Sequence, residues 1–440
     1  MKRITYVALR LFSALNHFLS ERLTRAGWLV LAGAGTAAAI GVDTTRTVGY
    51  QAFGFLAALI AVSFAVAQLF RPRASARREL PRYATAGERC EYRVVVENLG
   101  RGALEGVTLR EALRDPRPGY HEWRRAREPG EERRNWFDRN QGYFRWRWLI
   151  ERRTPRRSPE QPLDTVAPGE RRAAKLWLVA PRRGRFELAG LQLARRDPLG
   201  LVRGLALVPL PDRIVSLPKR YRLPPLALAG RRRFQQGGVT LATSVGDSEE
   251  FIGLRDYRHG DPLHRVHWKS TARTGALVVK EYQDEFFERH ALVLDTGIAG
   301  SDDASFEEAV SVAASFVYAI DTRECLLDLL FVGGEVRTYT AGRGQMHLEH
   351  MLEVLAGVQI SEPERFGQLA RAVLAQRTRM ASCVVVLLSW DEARRSFVQA
   401  LRRSGLEVRV LLVSSEDVAP GLGVLLLRPG AVQAGLAGLK

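Results

Sequence analysis

The sequence predicts two N-terminal transmembrane helices, then an antiparallel β-sandwich-like domain, then a doubly wound α/β domain. Three observations carry this. Two apolar runs, 27–42 and 48–70, are bracketed by arginine-rich flanks. From about 88 to 208, short alternating segments succeed one another across Pro/Gly turns with no long helix expected between them. After 286, wholly apolar segments of strand length alternate with helical periodicity, the pattern of a buried parallel sheet.

Size and composition agree. A chain of 440 residues is too long for one ordinary core, and 46% hydrophobic content argues against disorder. Lys and Arg total 66 against 48 Asp and Glu, giving a net charge of +18 that is almost wholly arginine. Such an excess points to an anionic neighbour: phospholipid headgroups, nucleic acid or an acidic protein. Cys90, Cys325 and Cys383 lie far apart with no zinc-type spacing. They read as reduced thiols in a reducing compartment, which excludes a disulfide scaffold or a zinc finger.

Residues 1–26 form an expected cytoplasmic amphipathic N-terminus. Ile4, Val7, Leu11, Leu15, Phe18 and Leu19 recur at roughly helical spacing, with Arg10 and Arg22 off the stripe. The segment is either an interfacial helix or an ordinary lead into the membrane. The hairpin 27–70 follows. At about 1.5 Å per residue the second run reaches roughly 34 Å, enough for a bilayer core, and the first roughly 24 Å. Gly33, Ala37 and Gly41 place small residues four apart for close helix packing. Lys2, Arg3, Arg10, Arg22 and Arg25 before the hairpin, and Arg71, Arg73, Arg77, Arg78 and Arg82 after it, put both ends in the cytoplasm of an inner-membrane protein. The connecting loop has Arg46 offset by Asp43.

Residues 80–220 make the sandwich-like domain. Cys90, Tyr92, Val94 and Val96 alternate as one strand, and 104–113, 143–150, 173–180, 185–194 and 201–208 supply others. Within it, 115–162 is an insertion rich in Arg and Trp. Arg beside Trp suits nucleic-acid stacking, but interleaved Glu122, Glu128, Glu131, Glu132 and Asp138 suit a solvated, ion-paired surface better. Residues 221–247 read as a linker. In the last domain, 286–440, strands are expected at 291–295, 326–332, 336–340, 382–388, 408–413 and 422–427, and helices at 306–320, 345–355, 365–377 and 392–403.

Between linker and last domain, 248–285 is the densest stretch of Gly, Asp, His, Trp, Arg and Lys. Asp261-Pro262 reads as a helix start and Gly275 as its stop, with a strand at 276–282. On a continuous helix, Arg265, Lys269 and Arg273 would form one basic face. That face either binds a phosphate or acidic partner, or pairs internally with Asp256, Asp261, Glu249, Glu250 and Glu281. His259, His264 and His267, with Asp261, are metal-ligand types, but His259 lies across the expected helix cap from the other two histidines. His267 with Asp256 or Asp261 is the expected acid–base alternative.

The pattern Glu250-Phe251, Leu254-Arg255-Asp256-Tyr257, Gly260-Asp261, Arg265, His267-Trp268-Lys269, Ala272-Arg273, Gly275 and Lys280 resembles the signature of the bacterial domain of unknown function 58 family. The last domain resembles a von Willebrand factor A-type domain. There, Asp295-Thr296-Gly297-Ile298-Ala299 stands where that family has Asp-x-Ser-x-Ser, and Asp391 falls near its later Asp. With both hydroxyl positions lost, the resemblance implies a degenerate, metal-free site near Asp295 and Asp391, Thr296 or Ser301 having to compensate. The resemblance to the domain of unknown function 58 family implies a protein partner, a MoxR-type AAA+ ATPase, alongside a membrane protein with a transglutaminase-like domain. The expected function is a membrane-anchored adaptor in a chaperone-like or envelope-assembly system, with no cofactor and no catalytic residue. Its partner-binding residues are Arg255, Asp256, Tyr257, Gly260, Asp261, Arg265, His267, Trp268, Lys269, Arg273 and Lys280. The alternative is a membrane-bound hydrolytic enzyme, with or without metal assistance, using the Asp/His cluster of 256–267.

Overall fold

The computed structural model describes residues 2–41, 47–224, 249–284, 288–298, 303–320, 325–341, 345–416 and 423–439. The connecting loop with Asp43 and Arg46, most of the expected linker, Ala299 and Ser301 lie outside them. The chain forms two compact units. One comprises Met1–Arg222 with Ile298–Ser315 and Leu352–Ile360, and the other Leu223–Gly297 with Phe316–Met351 and Ser361–Lys440.

The first unit opens with α1 (Lys2–Arg22), α2 (Arg25–Ile40) and α3 (Thr47–Gln68). Among the described residues, Val48–Gln68 is the one helix long and apolar enough to cross a membrane. Helix α2 is apolar but shorter, at 16 residues. The small residues do let α2 and α3 approach closely. A Cβ on Gly49 would lie 3.0 Å from the backbone nitrogen of Gly41, and Ala34 and Ala37 are buried.

Two sheets follow. Strands β1 (Ala74–Glu79), β2 (Tyr83–Thr85), β3 (Arg89–Asn98), β4 (Val107–Leu113), β5 (Arg156–Arg157), β6 (Gln161–Pro162), β7 (Arg171–Val179), β8 (Gly184–Arg196) and β9 (Arg203–Leu217) arrange as β1-β3-β7-β5 and β2-β9-β8-β4-β6. All pairings are antiparallel except β2 with β9. The alternation read for β3 is the inward face: Tyr92, Val94 and Val96 share one core with Leu109, Leu176, Leu178, Leu191, Leu193 and Ile214. Period-2 burial on both sheets is what joins them.

The insertion corrects the reading. Residues 143–150 are not a strand but the start of helix α6 (Tyr143–Arg153), preceded by α4 (Tyr120–Arg125) and α5 (Trp136–Gln141). Alternating aromatics and arginines also place Trp146 and Leu149 three apart, on one helix face. That face is buried with Trp123 and Tyr6 in a small separate core. The arginines find carboxylates nearby, Arg145 with Glu131, Arg153 with Glu122 and Arg134 with Glu128, so the surface is ion-paired.

The second unit begins with a ribbon, β10 (Glu249–Asp256) antiparallel to β11 (Val278–Asp284), joined through α7 (Trp268–Thr274). The remaining elements are β12 (Glu288–Leu294), α8 (Asp303–Ala319), β13 (Cys325–Gly333), β14 (Glu335–Ala341), α9 (Gln345–Gly357), α10 (Phe366–Gln376), β15 (Ser382–Leu387), α11 (Glu392–Arg403), β16 (Glu407–Val413), β17 (Val424–Leu427) and α12 (Val432–Leu436). Residues of α8 and α9 divide between the two units. The sheet order is β14-β13-β12-β15-β16-β17, parallel except for β14 at the edge. Strand β15 is buried on both faces throughout, as its SCVVVL run requires. On one face Val293, Val385 and Val410 pack with Leu369, Val373, Phe397 and Leu401 of α10 and α11.

Candidate functional site

Strand order reverses between β12 and β15, the place where open α/β sheets form a crevice at the strand C-termini. Asp295, directly after β12, is fully buried there. Its Oδ1 accepts the Gly297 N–H at 2.9 Å. The decisive partner is Arg394, on the first turn of α11 and itself 2% exposed. Its Nε donates to Asp295 Oδ2 at 2.6 Å, and its Nη2 to Asp295 Oδ1 at 3.2 Å and to the Gly297 carbonyl at 3.0 Å. Its Nη1 donates to Asp391 Oδ2. Asp391 also caps α11, accepting the Arg394 N–H at 2.9 Å. The guanidinium carbon lies 4.5 Å from the Phe366 ring centroid.

One guanidinium thus holds both carboxylates that the sequence singled out. Burial works against the charge on Arg394, but the hydrogen bonds and charges of Asp295 and Asp391 outweigh it and raise its pKa above the ordinary value. Burial pushes the Asp295 carboxyl up, opposed by Arg394 and by the N–H groups of Gly297 and Leu388. Thr296 donates its hydroxyl to the Val332 carbonyl at 3.0 Å and lies 2.9 Å from the Ser361 hydroxyl. This donor set does not fit a divalent cation, which needs free oxygens in near-octahedral array. The positive charge already present between the carboxylates is organic and covalent to the chain. No group of three or more His, Cys, Asp or Glu side chains that could hold a metal ion occurs among the described residues.

Arg394 and Ser361 were not singled out from the sequence. For Arg394 the signal was there: it stands on the same helical stripe as Phe397, Val398 and Leu401, all buried. An arginine on an apolar stripe demands a buried anion.

The 248–285 motif departs from the expected single helix in one respect that matters. Asp261 is not a helix cap. Its carboxylate is gripped by Arg255, Nη1 to Oδ2 at 2.7 Å and Nη2 to Oδ1 at 2.8 Å, and accepts the Arg258 N–H at 2.8 Å. These bonds, the Arg255 contact first, hold the Asp261 pKa down to about 2. Pro262 is extended, Leu263–Arg265 make one 3-10 turn, and Val266 is extended again before His267 leads into α7. The reason is tertiary. Val266 bridges to Val279, and the His267 N–H donates to the Val278 carbonyl at 2.8 Å, tying this segment to β11. Arg265 therefore does not share a helix with Lys269 and Arg273, and the expected three-residue basic face is not formed by one helix. Gly275 does end α7, at φ 73°, a conformation that suits glycine.

His267 Nδ1 lies 2.7 Å from the Ser270 hydroxyl, and no hydrogen bond joins His267 to Asp256 or Asp261. Tyr257 donates its N–H to the Leu277 carbonyl at 2.9 Å, and Gly260, at φ 105°, allows the turn. Lys280 sits on β11 opposite Leu254. The side chains of Glu249, Glu250 and Glu281, expected as ion-pair partners, lie outside the description. Trp268 and Leu263 are each 64% exposed, and Lys269, Arg273 and Asp256 are exposed too. The motif is a folded ribbon and turn presenting apolar and basic side chains.

The uncharacterized protein YeaD of Bacillus subtilis (strain 168) is 26% identical over 238 residues, covering 53% of this chain and 57% of that relative. The chain thus matches little more than half the length of that relative. Among solved structures, the CARDB domain of a Pyrococcus furiosus protein aligns at 10% identity over 33% of this chain and 95% of that one, with a TM-score of 0.16. The ASH/PapD-like domain of human CEP192 aligns at 12% identity over 33% and 86%, with a TM-score of 0.17. Overlaps of that size carry no argument. The family model described as "Protein of unknown function DUF58" matches residues 253–429, from the Arg255–Asp261 turn through the Asp295–Arg394 site, and this part of the chain belongs to that family.

Proposed function

We propose that this chain is a membrane-anchored interaction protein whose second unit is a metal-free von Willebrand factor A-type module, docking a protein partner through the 248–285 motif. The partner implied by the family resemblance is a MoxR-type AAA+ ATPase, in a chaperone-like or envelope-assembly role. The observation that carries this reading is Arg394. Its guanidinium satisfies Asp295 and Asp391 from within the chain, so the end of the sheet is fixed without an ion. The strand order and the antiparallel edge strand support the A-type reading. The exposed Trp268, Leu263, Lys269 and Arg273 support docking. For the anchor, Val48–Gln68 would cross the bilayer with α2 as the second limb of a hairpin, both ends cytoplasmic by the positive-inside rule.

The hydrolytic alternative on Asp256, Asp261 and His267 has less support, because Asp261 is consumed by Arg255 and His267 is hydrogen-bonded to Ser270. To test the proposal, the full chain is solubilised, crosslinked with and without ATP, and its partners identified by mass spectrometry. Enrichment of an AAA+ ATPase that is lost in the Trp268→Ala variant supports the reading. Absence of any such ATPase under both conditions sinks it.

A further inference from the structure

The first helix has two contrasting faces. At about 100° per residue, Val7, Phe18, Leu11, Ile4, Leu15, Ala8, Leu19 and Phe12 fall within roughly 140° of its circumference. Ile4, Leu11 and Phe12 are 65% or more exposed, and Val7, Leu15 and Phe18 are exposed as well. The opposite face is held by the protein. Tyr6 is buried against Tyr120, Trp123 and Trp146, with ring centroids 5.4, 5.8 and 5.6 Å away, and its hydroxyl donates to the Pro118 carbonyl at 3.1 Å. Glu21, the helix's single acid, is paired with Arg110 of β4 and with Arg157. The helix's acid is therefore neutralised on the protein side, while Lys2, Arg3, Arg10 and Arg22 leave it basic.

From these placements we infer that α1 is an in-plane membrane helix, its apolar face seated at the interface of an anionic bilayer, and that the 115–162 insertion is the clamp that fixes its rotation. This rests on the anchor reading above for the neighbouring helices. The lipid surface is the occupant for three reasons. The apolar face is continuous with the candidate membrane span: Phe18 and Phe64 of α3 lie 6.1 Å apart between ring centroids. The Arg22 guanidinium lies over both rings, at 5.1 and 5.3 Å, so a cation sits at the seam of this apolar surface, where anionic headgroups would meet it. Helix α5 of the insertion packs beside α1 and leaves Trp136 71% and Phe137 58% exposed, aromatics of the type that populate the membrane interface.

The join between helix and sandwich is tight enough to transmit that orientation. Between α1 and α2, the Thr24 N–H donates to the Leu201 carbonyl at 3.0 Å, and its hydroxyl to the Gly200 carbonyl at 2.6 Å. A Cβ on Gly27 would lie 2.2 Å from the Leu201 oxygen, so only glycine lets the β8–β9 turn seat there. Leu23, Ala67, Leu201 and Val202 close the joint. The clamp would thus set the tilt of the whole first unit against the bilayer.

The test uses the full chain in nanodiscs of phosphatidylcholine and phosphatidylglycerol, with Cys90 replaced by serine. An environment-sensitive fluorophore is attached at Leu11→Cys, His17→Cys or Phe55→Cys, all exposed positions. Lipids carry a doxyl quencher near the headgroup or near the bilayer centre. The expected result is loss of Leu11→Cys fluorescence to the shallow quencher, loss of Phe55→Cys fluorescence to the deep one, and neither at His17→Cys. Quenching at Phe55→Cys without a difference between Leu11→Cys and His17→Cys overturns the inference while leaving the anchor standing. Shallow quenching at Leu11→Cys with none at Phe55→Cys keeps the in-plane helix and removes the anchor. Disulfide trapping between two Leu11→Cys chains without lipid quenching means that a second copy covers this face, and overturns it.

Discussion

Replacing Arg394 by alanine strips the counter-charge from a fully buried carboxylate. Asp295 loses two charge-assisted hydrogen bonds, at 2.6 and 3.2 Å, and the Gly297 carbonyl loses one at 3.0 Å. Breaking one side of a buried ion pair costs about 3–5 kcal/mol, because the remaining charge has no water to return to. With a urea slope of about 2–3 kcal/mol/M for a domain of this size, the midpoint should fall by roughly 1–2.5 M. The assay is urea unfolding of the detergent-solubilised full chain, read by hydrogen exchange in peptides from β15 and α11. The double variant Asp295→Asn with Arg394→Met removes both charges together and should recover more than half of that loss. Asp391→Ala, which removes a half-exposed partner and a helix cap, should cost about 1 kcal/mol. A midpoint for Arg394→Ala within about 0.3 M of the parent would refute the assignment of Arg394 as the site's internal cation.

Other consequences can be measured separately. Tyr6→Ala empties a pocket lined by Trp123 and Trp146, at a cost of about 3–5 kcal/mol by analogy with buried aromatic truncations. Released α1 should then be cut faster by trypsin at Arg3 and Arg10, with the sandwich still folded by circular dichroism. The Asp261 pKa, held down to about 2 by Arg255, lies below its unfolded value near 3.8. Its contribution to stability is therefore fully present above about pH 4 and is lost as the pH falls toward 2. Hydrogen exchange in the 255–261 turn, corrected for intrinsic rates, should lose protection across that window, and Arg255→Ala should move the loss to higher pH. Burial pushes the Cys383 thiol up to about 12. At pH 8 a thiol reagent should reach half-buried Cys90 first, and Cys325 and Cys383 only after denaturant is added.

Local pattern determined much of this protein. The apolar run of β15 and the alternation of β3 each announce their strand, since burial on two faces or on one leaves a direct imprint on side-chain order. The Glu392–Arg403 helix was legible to the residue, because Asp391 marks its start and its apolar stripe is strict. The family signature was legible too, as a list of residue types in order. What those residues do was not. Asp261-Pro262 has the local chemistry of a helix start, but a β-bridge from Val266 to Val279 holds the chain extended and leaves Asp261 to Arg255. The aromatic alternation at 143–150 fits a strand as well as a helix, and only the pocket around Tyr6 decides that Trp146 and Leu149 must face the same way. Asp295 and Asp391 could be named from sequence, whereas their common partner could not, because 99 residues separate Asp295 from Arg394. Periodicity records which faces are buried. Which charge meets which inside the protein is settled by the tertiary fold, where desolvation makes an unpaired carboxylate too costly to leave.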